Sequence, residues 1–179
     1  MIIRGGKINL RTLKSSDAQS IFENAKDKEI SQYTNVPHPY TLKDAKEFIK
    51  KTQKDNRLKK AYYFGIEDKK TKQIIGMIDF VKYDKINKNA EVGYWLGKKY
   101  WSKGYMKEAL GLLLKFGFNK LKLHRIYATI IEPNIKSKQR LKKAGFKYEG
   151  KQREHIYREN KFMNYLIFGL LKDEYKKRN

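Results

Sequence analysis

Apolar and polar positions along the chain fall into alternating runs, broken four times by stretches of helical spacing. Residues 7–14 (KINLRTLK) alternate, with Ile8 and Leu10 turned inward, which predicts a first strand. Ser15-Ser16-Asp17 carries a helix-start signal, and Ala18, Ile21, Phe22 and Ala25 follow on one helical face. Pro37-His38-Pro39 breaks the chain before Thr41-Leu42-Lys43-Asp44, a capping-box pattern opening a second helix that reaches about Lys54. Residues 61–67 and 74–83 are β-rich runs on either side of the polar turn 68–72 and predict a hairpin. Residues 90–96 make a further strand, with Ala90, Val92, Tyr94 and Leu96 on one face and Glu91, Gly93 and Trp95 on the other.

From Gly104 to about Asn119 the spacing is helical. Lys107, Gly111 and Lys115 form a narrow polar stripe on a broad apolar surface that includes Leu110, Leu113, Leu114 and Phe116, so this helix should be mostly buried. Residues 125–131 are apolar on both faces, as in the middle of a sheet. A helix over 135–144 ends at Gly145, and residues 146–157 and 163–171 flank the polar turn 158–161 as a second hairpin. The predicted order is βααβββαβαββ. Strand 90–96, helix 104–119 and strand 125–131 form a βαβ unit whose strands should be parallel with a right-handed crossover. The expected fold class is α/β in an α+β arrangement. It is a mixed, mostly antiparallel sheet with one central parallel pair and helices on both faces, in a single domain of residues 1–179.

Composition narrows the chemistry. With no Cys, the chain has no disulfide framework, thiolate nucleophile or Cys-ligated zinc, which suits a reducing cytoplasm. His38, His124 and His155 are scattered without metal-ligand spacing, and no apolar run approaches the ~20 residues of a membrane span. The net charge of +23 attracts polyanions such as nucleic acid or a nucleotide cofactor. The Lys residues are spread along the chain, however, and heavy use of Lys, Ile and Asn explains the charge equally well as composition. No helix-turn-helix, RNP-type motif or Lys/Arg-striped helix supports a dedicated nucleic-acid-binding protein.

The loop after strand 90–96 reads Gly97-Lys98-Lys99-Tyr100-Trp101-Ser102-Lys103-Gly104. A helix starting at Gly104 would aim unpaired N–H groups and the positive dipole end into it, and Lys98, Lys99 and Lys103 add positive potential. These features suit a pyrophosphate; an ordinary turn requiring a Gly for its dihedral angles is the other reading.

Residues 90–96 (AEVGYWL) followed by 100–109 (YWSKGYMKEA) resemble the acetyl-CoA motif of the GNAT N-acetyltransferase superfamily, and most of all its RimJ/RimL-like branch of ribosomal-protein acetyltransferases. Asn134-Ile135-Lys136-Ser137 leading to Gly145-Phe146 and Gly150 resembles that branch's second motif, and the likeness runs in family order over nearly the whole chain. It implies an acetyl-CoA-dependent N-acetyltransferase without metal. Main-chain N–H groups of Ser102, Lys103, Gly104, Tyr105 and Met106, beside Trp101, would hold the CoA pyrophosphate. Trp101 and Met106 replace the family's usual Gln or Arg and small residue, affecting loop shape more than binding. The main chain of Trp95 and Leu96 would pair with the pantetheine arm in the splay between the parallel strands, Asn134 would hydrogen-bond the pantetheine, and Arg140 would approach the nucleotide phosphates. Glu91 is the candidate base, acting through water; a salt-bridged structural carboxylate is its other reading. Some relatives carry a Tyr acid where this chain has Leu141, so Ser137, beside the expected sulfur, is the candidate acid; it can equally tie a helix start to the backbone. Such relatives are commonly homodimers.

Chemistry favours a weakly basic amine. An α-amino group of pKa ~8 costs ~1.4 kcal/mol to deprotonate at pH 7, and a Lys side chain ~4.6 kcal/mol. The positive field disfavours a polyamine and suits a ribosomal-protein N-terminus embedded in RNA, with weak association to the RNA itself. The alternatives are a small-molecule amine (polyamine, amino acid or antibiotic) as acceptor, or a non-enzymatic nucleic-acid-binding protein on the same scaffold.

Overall fold

Residues 1–177 are described by the structure, a computed structural model; the last two residues of the expected span lie outside them. The first predicted strand is half of a hairpin: β1 (Ile2–Arg4) pairs antiparallel with β2 (Ile8–Arg11). After a 3-10 turn at Ser15–Asp17 come α1 (Ala18–Ala25), the short α2 (Lys28–Ser31) and α3 (Leu42–Arg57). The capping box at α3 forms as its spacing predicts, with Asp44 N–H on Thr41 Oγ1 at 3.2 Å and Thr41 N–H on Asp44 Oδ2 at 2.8 Å. The hairpin of β3 (Tyr62–Asp68) and β4 (Ile74–Phe80) leads to β5 (Asn89–Leu96).

The buried helix is α4 (Tyr105–Lys115), prolonged by a π-helical turn over Phe116–Lys120, so the predicted span is right and its last turn is wound wider. Then follow β6 (Arg125–Ile131), α5 (Ile135–Lys143), β7 (Lys147–Arg158), β8 (Lys161–Leu171) and α6 (Lys172–Lys176). The β7–β8 turn is tight: Arg158 pairs with Lys161, and Glu159 (φ 51°) and Asn160 (φ 58°) both take the left-handed conformation of a type I′ turn.

The eight strands form one sheet in the order β1-β2-β3-β4-β5-β6-β8-β7, with β5–β6 as the parallel pair. β8 lies between β6 and β7, because the last hairpin folds back onto β6 along its whole length. The sheet separates two apolar layers. On one face Val92, Leu96, Ile78 and Phe80 pack with Met106, Leu110 and Leu113 of α4 and Leu141 of α5. On the other, Met77, Tyr63 and Ile74 pack with Ile21 of α1 and Ala45 and Ile49 of α3. Phe64, Phe80, Phe118 and Phe168 are fully buried, each contributing about 1.5–3 kcal/mol. Among the described residues no helix is long and apolar enough to cross a membrane.

Candidate active site

The central feature is a gap in the sheet. β5 and β6 are paired only at Asn89–Arg125, Ala90–Ile126 and Glu91–Tyr127. Beyond Glu91 the strands part, β5 staying with β4 to Leu96 and β6 with β8 to Ile131. The bonds Val81 N–H to Glu91 C=O and Gly97 N–H to Ile75 C=O fix the alternation along β5. Residues 91, 93, 95 and 97 therefore turn their main-chain groups to β4, and residues 92, 94 and 96 turn theirs to the gap. This corrects one expectation. Trp95 is spent on its ladder pairing with Met77, so Leu96 and Tyr94 offer main-chain groups to a ligand in the gap. The Leu96 carbonyl already accepts the Trp101 indole N–H at 2.6 Å, which pins the following loop to the end of β5.

That loop shapes an anion cradle. Ser102 (φ 61°) and Gly104 (φ 83°) are both left-handed, reversing the chain so that α4 starts pointing back at the gap. Gly104 caps α4 without a side chain, and Glu108 is the first residue whose N–H finds a helical carbonyl, that of Gly104 at 3.1 Å. The N–H groups of Tyr105, Met106 and Lys107 are thus turned out of the helix. A Cβ at Gly104 would meet nothing within 4 Å, so the space in front of this helix end is open. Lys103 is exposed there, Met106 is buried beneath, and Lys136 Nζ lies 4.6 Å over the Trp101 ring.

From the far side of the gap comes α5. Asn134 is its N-cap, accepting the Ser137 N–H at 3.1 Å, which leaves the Asn134 amide nitrogen to donate. The Ser137 hydroxyl is buried and lies 2.6 Å from the Tyr94 hydroxyl, with Arg140 5.6 Å over the Tyr94 ring. Burial pushes the Tyr94 phenol up, against the bond to Ser137 and the Arg140 charge. The sequence placed Tyr94 only on a strand face with Ala90, Val92 and Leu96 and gave it no role. The available signal was one hydroxyl in the otherwise aliphatic row of Ala90, Val92 and Leu96.

At the closed end of the gap, Glu91 is buried, with Oε2 2.7 Å from Lys82 Nζ and Oε1 accepting from the Thr129 hydroxyl. A second carboxyl lies beside it that sequence reasoning missed. Asp79 of β4 pairs with Gly93 of β5 and is 8% exposed. Its Oδ1 lies 2.7 Å from where a Gly93 Cβ would be and has no hydrogen-bond partner among the described residues. Burial pushes this carboxyl up to about 8, opposed by the Gly93 amide and Lys51 and reinforced by Glu91. Its sequence signal was an acidic residue inside the apolar run 74–83, legible only once β4 and β5 are in register. Among the described residues no group of three His, Cys, Asp or Glu could hold a metal ion. A separate cleft of about 770 Å³, lined by Arg11, Asp17, Glu67 and Lys72, shares only Lys99 with the loop.

A family profile, the acetyltransferase (GNAT) domain, matches residues 7–147. The chain belongs to the GNAT acetyltransferase family. The chain is similar to the uncharacterized N-acetyltransferase p20 of Bacillus licheniformis, 32% identical over 170 residues, covering 94% of this chain and 95% of that one. It is 30% identical over 111 residues to the ribosomal protein uS5-alanine N-acetyltransferase of Escherichia coli, covering 62% and 57% of the two chains. A crystal structure of a GNAT-family acetyltransferase from Bacillus anthracis superposes with a TM-score of 0.85 at 27% identity, covering 97% of this chain and 99% of that one. As a GNAT enzyme the chain is an N-acetyltransferase that uses acetyl-CoA and acts on amines. The residues present fit that donor: the open cradle before α4 suits a pyrophosphate, and the Leu96 main chain faces the gap a pantetheine arm would fill.

Proposed function

We propose that this GNAT enzyme, working as one domain, acetylates the N-terminal α-amino group of a protein, foremost a ribosomal protein. The observation that carries the reading is the closed end of the β5–β6 gap. Its carboxylate, Glu91, is already matched by Lys82 at 2.7 Å, which suits a neutral or singly charged amine over a polycation. The +23 charge points the same way, because it repels polyamines and draws the enzyme weakly to RNA-embedded targets. The name of the Escherichia coli relative, a uS5-alanine N-acetyltransferase, supports the substrate class.

When bound, acetyl-CoA supplies an acyl group activated as a thioester. The N–H groups of Tyr105 and Met106, with Ser102 and Gly104 shaping the turn, hold its pyrophosphate, and Asn134 and Leu96 hold its arm. Arg140, half-buried on α5 over the Tyr94 ring, would meet the nucleotide phosphates. The Leu96 N–H, turned into the gap, stabilises negative charge on the thioester oxygen as the amine attacks. Glu91 acts as the base through a water that takes up the amine proton, and Ser137, backed by the Tyr94 hydroxyl, gives a proton to the leaving sulfur.

The test is release of free CoA thiol from acetyl-CoA with N-terminal peptides, spermidine and small amines as acceptors. Peptides beginning with the termini of ribosomal proteins should be acetylated at the α-amine. Efficient spermidine acetylation without peptide turnover would overturn the substrate assignment. Glu91→Gln should lower kcat/KM by roughly 100-fold, with acetyl-CoA affinity unchanged.

A further inference from the structure

We propose that Asp79 is the terminal proton acceptor of the transfer, receiving through the water at Glu91 the proton that the attacking amine gives up. The assignment rests on the amine-acetylating reading above and adds the place where the proton ends. Its basis is geometric. Asp79 stands on β4, away from the gap, yet its side chain reaches over β5 because position 93 is a glycine: a Cβ there would stand 2.7 Å from Asp79 Oδ1. Gly93 is the second residue past the last β5–β6 pair, so the carboxyl lies where the strands have begun to part. It shares its sheet face with Glu91, two residues back along β5 and so roughly 7 Å away, within reach of a bridging water.

A buried carboxyl oxygen without a partner is costly unless the site uses it. Here Asp79 Oδ1 has none among the described residues, and the side chains facing it do not supply one. Tyr63 of β3, its ladder partner, has its hydroxyl 3.1 Å from Lys51 Nζ of α3, and that Lys is itself 3.5 Å from Asp55. Glu91 of β5 is engaged by Lys82 and Thr129.

Glu91, engaged by Lys82 and Thr129, orients the water. Asp79, whose proton affinity burial raises to about 8, matches an α-amine of pKa ~8 and retains a proton that an ordinary carboxylate would release. In balance, an amine N–H bond breaks as a water O–H forms, and a water O–H breaks as the Asp79 O–H forms. The amine nitrogen bonds to the acyl carbon, the C–S bond breaks, and the sulfur leaves with a proton from Ser137, whose hydroxyl regains a proton from solvent. Asp79 then returns its proton to solvent.

The experiment measures kcat/KM against pH, following CoA thiol release, with an acceptor whose amine is far less basic than an α-amine, such as a hydrazide. Any limb near pH 8 then belongs to the enzyme. The wild type should show such a limb. Asp79→Asn, nearly isosteric with the protonated carboxyl, should lose it and fall about 100-fold above pH 8 while binding acetyl-CoA as tightly. A variant that keeps both rate and limb overturns the assignment, as does a wild type flat between pH 7 and 9, which needs no variant to fold. Loss of acetyl-CoA binding in Asp79→Asn would show a structural role and overturn it too. A wild type that binds acetyl-CoA yet acetylates no amine overturns the underlying reading instead, and the assignment with it.

Discussion

At the scale of single residues, Gly104 and Asp79 are limited by opposite things. Gly104 has open space where a Cβ would go, but its φ of 83° is a conformation that L side chains adopt only at about 1–2 kcal/mol. Gly104→Ala should therefore tilt the cradle, raising KM for acetyl-CoA by roughly 10-fold with kcat little changed in initial-rate measurements. Asp79 is limited by solvation. Its folded-state affinity for a proton lies above the unfolded value, so between pH ~4 and ~8 the native state holds a proton that the unfolded chain has lost. Stability should fall across that window as pH rises, by roughly 6 kcal/mol at most, and level off above it. Denaturant melts should show that slope in the wild type and its loss in Asp79→Asn. Gly104, Glu91 and Ser137 were candidates in the sequence through the family resemblance, since each lies within a local motif. Asp79 was not, because its chemistry depends on a glycine across the ladder, and ladder register is not written in either strand alone.

At the scale of elements, the β7–β8 hairpin reaches back across the molecule. Arg158, at its tip, donates through Nη1 to the carbonyls of Ser31 (2.9 Å), Gln32 (3.3 Å) and Thr34 (2.7 Å), closing the end of α2. Arg158→Ala removes this donor from all three carbonyls, of which Ser31 alone also accepts the Thr34 N–H, and should cost about 1–3 kcal/mol, with hydrogen exchange quickening over residues 31–36 rather than in the sheet. The long elements were legible because each carries a complete local signal: the Thr41–Asp44 box for α3, the polar stripe for α4, the two-sided apolar run for β6. β1, α2 and α6 were not, being three to five residues long and too short to show a period.

At the scale of the whole molecule, a buried ionic cluster joins the first hairpin region to the sheet. Arg11 holds Asp17 through two 2.8 Å bonds and Glu67 at 2.5 Å, and Asn9 supports Glu67 at 2.9 Å. Burial alone would raise both carboxyls, yet the Arg11 guanidinium and the neighbouring hydrogen bonds hold them below their ordinary values. Their contribution is complete above the unfolded carboxylate range and is lost as pH falls through the lower folded values, so acid should unfold the protein below pH ~4. Arg11→Ala strands two buried carboxylates and should cost roughly 3–5 kcal/mol at pH 7, read by chemical denaturation. By itself the sequence determined the longer elements, the mixed sheet with one parallel pair and the family, and it offered a candidate cofactor loop, because those follow from periodicity and from motifs contained within one stretch of chain. Only the tertiary structure decided how far β5 and β6 stay paired, which main-chain groups of β5 face the gap, and that Tyr94 meets Ser137 and Asp79 overlies Gly93. Each of these is set by strand register and by packing between residues distant in sequence, where burial, rather than residue type, fixes what a hydroxyl or a carboxyl can do.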